Sequence, residues 1–202
     1  MPLISQTSRR VRIPQKKYLE AFTRNVTLPD STPLLSDGNV TVYTDVQTAS
    51  VFKGKTSLEA VLGAHLARIQ LGDYFAINSV RGTYRSGSCN FHHMRTNIRE
   101  TKQVATTLGY GPRFLHSTGQ LHKGGPNSGA FIYVTCDDRE DLPIPDEPYS
   151  FGVLKAAQAL GDMQSLSSRE RRVIRIHLGT DVEKELARLE QLIEARMGSH
   201  AH

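Results

Sequence analysis

The chain has 202 residues, 38% of them apolar and 22% charged, with a formal net charge of +5 and no tryptophan. That length supports one domain with a core of its own, and the composition shows no sign of wholesale disorder. The charge is local: residues 1–24 carry +5 and residues 79–99 carry +4, so the remainder sums to −4. Aromatic residues are not interleaved with the basic ones, which argues against a nucleic-acid surface. No apolar run is long enough to cross a bilayer, so no membrane partner is expected. The first ten residues lack the charged-then-apolar order of a secretory signal, and the expected compartment is the cytoplasm. Cys89 and Cys136 lack metal-ligand spacing and read as two thiols.

In chain order, residues 1–14 read as a basic lead that ends at Pro14. Residues 16–23 read as a short helix with Tyr18, Leu19 and Phe22 inward, and Pro29 and Pro33 as a linker. Residues 1–33 thus precede one α/β domain over 34–196, with an unstructured tail at 197–202. A strand is expected at 40–43. Thr56 or Ser57 then caps a helix over 58–70, whose Leu58, Val61, Leu62, His65 or Leu66, and Ile69 recur at helical spacing. A buried strand follows at 74–77, and strand–helix–strand on this rhythm indicates a parallel sheet. Residues 79–93 are rich in Arg, Gly and Ser and show no hydrophobic period. They read either as a functional loop or as sequence never selected to fold, such as an out-of-frame stretch, and the abrupt return of pattern on both sides favours the second. Helical character is expected over 94–107, then strands at 113–115 and 130–135. Ser150 caps a helix over 151–166, followed by a strand at 173–178 and an amphipathic helix to about residue 196. The architecture is a three-layer α/β sandwich with a mainly parallel sheet of about five strands, Rossmann-type.

The least generic stretch runs from Gly109 to Gly129, where six of twenty-one residues are Gly and two are Pro. Glycine lets a backbone approach a ligand closely, and the polar side chains among these glycines suit phosphate binding and proton transfer. His116 is the first candidate for acid/base work, followed by His122 and Lys123. Ser117, Thr118, Gly119, Gln120 and Arg113 are candidates to bind substrate. No nucleotide fingerprint fits the run, and two histidines six apart with no carboxylate or Cys beside them do not make a zinc site. Neither a cofactor nor a metal is expected.

This run, together with 141–162, Asp-Leu-Pro-Ile-Pro-Asp-Glu-Pro-Tyr-Ser-Phe-Gly-Val-Leu-Lys-Ala-Ala-Gln-Ala-Leu-Gly-Asp, resembles the C-terminal part of bacterial transaldolase/glucose-6-phosphate isomerase fusion proteins. The likeness is close over 96–189 and weaker over 34–78. It implies an SIS-like α/β unit and aldose–ketose isomerisation of glucose 6-phosphate, with a sugar phosphate as the small-molecule partner. It also implies that the ring-opening histidine falls at His116, with His122 as the competing assignment. The family's phosphate-binding SIS unit and its transaldolase barrel find no counterpart here. The catalytic glutamate falls on no matching motif, and Glu100 and Glu147 are the glutamates available. The resemblance therefore implies a missing N-terminal partner or a homodimer that completes the site.

Overall fold

A computed structural model of the chain describes residues 15–25, 32–80, 88–138 and 140–198. The basic lead at 1–14, the first part of the linker, residues 81–87 and the tail beyond residue 198 lie outside the described residues. A six-stranded sheet in the order β1-β2-β6-β5-β3-β4 forms the middle of the fold. Its strands are β1 (Leu35–Asp37), β2 (Val40–Tyr43), β3 (Tyr74–Val80), β4 (Ala105–Tyr110), β5 (Gly129–Cys136) and β6 (Arg172–Leu178). β4, β3, β5 and β6 are parallel, while the β1–β2 hairpin is added antiparallel along β6. The α-helices are α1 (Gln15–Asn25), α2 (Val46–Ala49), α3 (Leu58–Leu66), α4 (Ser88–Lys102), α5 (Thr118–Gly124), α6 (Phe151–Ser167) and α7 (Val182–Met197).

Alternation along the strands makes three layers, because successive residues point to opposite faces. Phe75, Ile77, Ile132, Val134, Ile174 and Ile176 face one side, where Leu62, Phe91, Ile98 and Leu189 from α3, α4 and α7 cover them. Ala76, Phe131, Tyr133 and Val173 face the other, against Phe114, Leu115, Ala159, Met163 and Leu166. α1 packs on the outside of α6. The fold is therefore the expected three-layer α/β sandwich with a mostly parallel sheet.

Local chemistry explains the boundaries. Ser57 Oγ accepts the Ala60 amide (3.2 Å) and Ser150 Oγ accepts the Val153 amide (3.3 Å), so both expected caps form. α3 ends at Leu66, one turn earlier than its apolar spacing indicates. There the Asp73 carboxylate draws the chain into a turn by accepting the Gln70 amide (2.7 Å) and two contacts from Arg172 (2.6 and 2.8 Å).

Four points depart from expectation. β1, at the start of the domain expected over 34–196, is a strand where none was expected. Asp37 fixes it, because its carboxylate accepts the Leu58 amide at the start of α3 (2.9 Å) and Arg188 of α7 (2.7 Å). α4 begins at Ser88, inside the stretch read as patternless. Phe91, Met94 and Ile98 are its buried stripe, and the polar residues between them lie outside it. Finally, the helix expected over 94–107 stops at Lys102, and 105–110 is the edge strand β4. The strand expected at 113–115 is instead a 3₁₀ turn, Arg113–His116. Gln103 makes the reversal with φ at 52°, and β-branched Thr106 and Thr107 suit the strand that follows.

His65 of α3 is fully buried beside Phe52, with ring centroids 6.4 Å apart. Burial, with Arg68 adding, lowers its pKa to about 3. The unfolded chain, with an imidazole near 6.5, therefore takes up this proton first. The stability tied to the neutral ring is complete above about pH 6.5 and is lost progressively as pH falls toward about 3. Urea unfolding of His65→Leu at several pH values should show a shallower acid loss below about pH 6.5 than the parent. Parallel curves for the two proteins would refute this assignment.

Candidate functional site at the carboxyl rim

The run from Gly109 to Gly129 is ordered turn and helix rather than an open loop. After β4 it makes the 3₁₀ turn Arg113–His116 and then α5, and its glycines other than Gly124 sit in close packing. A Cβ on Gly109 would stand 2.8 Å from Asn78 Oδ1, so glycine lets β4 close against β3 beneath the Phe114 ring. Arg113, His116, Ser117, Thr118 and Gln120 are exposed, and Gly119 is buried. Ser117 Oγ donates to the Phe114 carbonyl at 3.4 Å, and Gln120 Nε2 donates to the Leu115 carbonyl at 2.7 Å. Both thus spend hydrogen bonds on their own turn.

The other two candidates point inward. His122 is buried among Tyr74, Phe114 and Phe131, its ring centroid 5.0 Å from that of Phe131. Burial, then the neighbouring Lys123, lowers its pKa to about 4. Tyr74 opens β3, so His122 lies toward the amino ends of the parallel strands, whereas His116 follows the carboxyl end of β4. The structure does not bring the two rings together. Lys123 has no exposed surface, and its ammonium is paired with Asp162 of α6, which also accepts the Tyr133 hydroxyl. Burial, and then the Asp162 charge, raises the Tyr133 pKa well above its ordinary value. Lys123 is a structural cation, not a group open to substrate.

A cavity of about 470 Å³ opens elsewhere, between the carboxyl ends of the parallel strands and the first half of α6. Val80 of β3, Thr135 of β5 and Arg175 and His177 of β6 line its sheet side. Asp137 and Asp138 follow β5 at the rim, and Lys155 projects from α6. β4 and β5 lie on opposite sides of β3, so the chain changes direction at this point. Such a switch is where open parallel sheets place their ligands. Small residues on α6, Gly152, Ala156 and Ala159, leave the space. Gly152 also admits the Asp141 carboxylate, which takes the Gly152 amide at 2.7 Å and the Ser150 hydroxyl.

None of the residues picked from the sequence lines this cavity. His177 is half-buried, with Nδ1 3.0 Å from Thr135 Oγ1 and Nε2 3.3 Å from Asp137 Oδ1. Burial lowers its pKa, with Arg175 adding and Asp137 opposing, so the ring is neutral at pH 7. Arg175 lies over the Tyr43 ring, its guanidinium carbon 3.8 Å from the centroid. Lys155 pairs with Asp138 at 2.5 Å. The overlooked signal was polar residues at alternate positions of 173–178. In a strand flanked on both sides, Arg175 and His177 share one face and need somewhere polar to point. Among the described residues no cluster of three His, Cys, Asp or Glu could hold a metal ion, and no helix is long and apolar enough to cross a membrane.

Removing one member of a buried ion pair strands the other, at a cost of about 3–5 kcal/mol. Lys123→Met should therefore lower unfolding free energy in urea by that order. The double variant Lys123→Met/Asp162→Leu should recover most of the loss, since an apolar pair of similar size leaves no uncompensated charge. Additive losses in this cycle would refute the pairing.

Comparisons with family models and with curated proteins give no match. Among solved structures, the chain is similar to the hypothetical protein TT0462 from Thermus thermophilus, with a TM-score of 0.57 and 17% sequence identity. The match covers 75% of this chain and 41% of that one, so this chain spans about two fifths of that protein's length. At that identity the likeness establishes the α/β fold and nothing about activity.

Proposed function

We propose that this chain is the sugar-phosphate-handling C-terminal part of a glucose-6-phosphate isomerase of the transaldolase-fusion type. Its substrate lies in the carboxyl-rim cavity, not over the glycine-rich run. The observation that carries the reading is His177, a neutral imidazole facing an open cavity of about 470 Å³ at the switch point of the sheet. A cavity of that size suits a small polar ligand. Aldose–ketose isomerisation begins by opening the sugar ring, which needs a group that gives and takes a proton near neutral pH. His177 fits that task because Thr135 holds Nδ1 and fixes the ring's orientation, while the longer contact of Nε2 with the exposed Asp137 is the one a substrate oxygen would replace. Resemblance to the isomerase family supplies the substrate class, and a phosphorylated sugar implies the cytoplasm.

Among the described residues no glutamate lines the cavity. The reading therefore assigns the proton transfer between C1 and C2 to a group contributed by a second copy or by a separate isomerase segment. A binding module without turnover is the second reading, favoured by the engagement of Asp138 with Lys155 and of Asp141 with the start of α6.

The test is an amide NMR titration of the full chain with glucose 6-phosphate, paired with an assay coupled to fructose 6-phosphate formation. Saturable shifts at Val80, Thr135 and His177, weakened about tenfold in His177→Gln, are expected. Where turnover is measurable, its acid limb should lie below the ordinary imidazole value of about 6.5, because the folded-state pKa is depressed. Shifts confined to His116, Ser117 and Thr118 would return the site to the glycine-rich run, and no shifts at all would remove the sugar-phosphate reading.

A further inference from the structure

The charged groups of the cavity are not equally satisfied. Asp138 has Lys155 at 2.5 Å, Asp137 has His177 at 3.3 Å, and Asp141 holds the Gly152 amide at 2.7 Å. Arg175 differs. Among the described residues no carboxylate lies within ion-pair distance of it, and its Nε is buried without a hydrogen-bond partner. Its plane is held by the Tyr43 ring on the neighbouring strand, the two residues being direct partners in the β2–β6 register. Tyr43 thus holds the guanidinium by its ring and by a side-chain hydrogen bond, and leaves the buried Nε as a donor without an acceptor. A half-dehydrated cation with no counterion is costly to keep, and an arriving anion removes the cost.

We propose that Arg175, stacked on Tyr43, is an oxyanion subsite of the cavity that takes the phosphoryl group of a phosphate monoester. The geometry fits the sugar-phosphate reading, on which the identity of the monoester rests. Arg175 and His177 sit two residues apart on one face of β6, about 6.6 Å by the rise of a strand. Both line the cavity, so a ligand whose anion is held at Arg175 lies alongside His177. Planar bidentate recognition makes arginine, rather than lysine, the residue required here.

Inorganic phosphate serves as the probe, followed on the full chain by the Arg175 Nε–Hε resonance and the amides of β6. A saturable shift of that resonance is expected, with affinity reduced at least tenfold in Arg175→Gln and only partly restored in Arg175→Lys. Arg188→Gln, which removes an arginine bound to Asp37 outside the cavity, should bind phosphate like the parent. The wild-type resonance reports independently of any variant, so a misfolded Arg175→Gln leaves the test intact. A linear, non-saturating response, or unchanged affinity in a folded Arg175→Gln, overturns the subsite. Glucose 6-phosphate then separates the two ideas. If phosphate binds at Arg175 but the sugar ester binds no more tightly and leaves His177 unshifted, the anion subsite stands and the isomerase reading falls. If the ester shifts His177 while leaving Arg175 unmoved, the subsite falls and the isomerase reading stands.

Discussion

The ion pair between Lys123 and Asp162 is the constraint to which the α6 side of the sheet is referred. Both groups are out of contact with water, so each is tolerable only in the presence of the other. The Tyr133 hydroxyl occupies the remaining carboxylate oxygen. Three elements, α5, β5 and the later helix α6, are therefore held at one separation by a polar contact that cannot slide as an apolar one can. The cavity sits one layer above this contact. Thr135 stands two residues beyond Tyr133 on the same strand face, and Ala159 lies one helical turn before Asp162 on α6. The gap between sheet and helix at the rim is thus fixed from below.

This arrangement also explains why the glycine-rich run misleads. Glycine, histidine, lysine and hydroxyls close together in sequence suggest a reactive loop, yet that inference assumes the side chains share one surface. A short helix divides them. His122 and Lys123 are adjacent on α5 and both turn inward, one into an aromatic pocket and the other onto Asp162, while His116 and Gln120 face outward. The pattern that identifies an inward lysine is a partner, and Asp162 lies thirty-nine residues away on another element. Nothing local distinguishes it.

What was legible follows the same logic. β2, β3, β5 and β6 and the caps at Ser57 and Ser150 could be read because each signal is contained within a few residues. β1 could not, since it depends on Asp37 meeting Leu58 and Arg188, neither of which is nearby in sequence. α4 was obscured by composition: Phe91, Met94 and Ile98 carry its burial on a stripe so narrow that the histidines, arginines and asparagines around it dominate. β4 is an edge strand, half covered, with Gly109 near its end, and so lacks the apolar run of a central parallel strand.

The cavity residues, by contrast, were legible in principle. Ile174, Ile176 and Leu178 form one unbroken apolar face of β6 and are fully buried. A strand that had merely to fill a sandwich would be apolar on both faces, because helices cover both. β6 instead places Arg175 and His177 on its second face, where a charge and an imidazole cost stability unless that face is open. Val173, earlier on the same face, is apolar and buried, so the change from apolar to polar along one strand face marks where packing by α6 ends and the cavity begins. Alternation therefore carries two messages in a central strand: its regularity locates the core, and the point where one face departs from it locates the crevice.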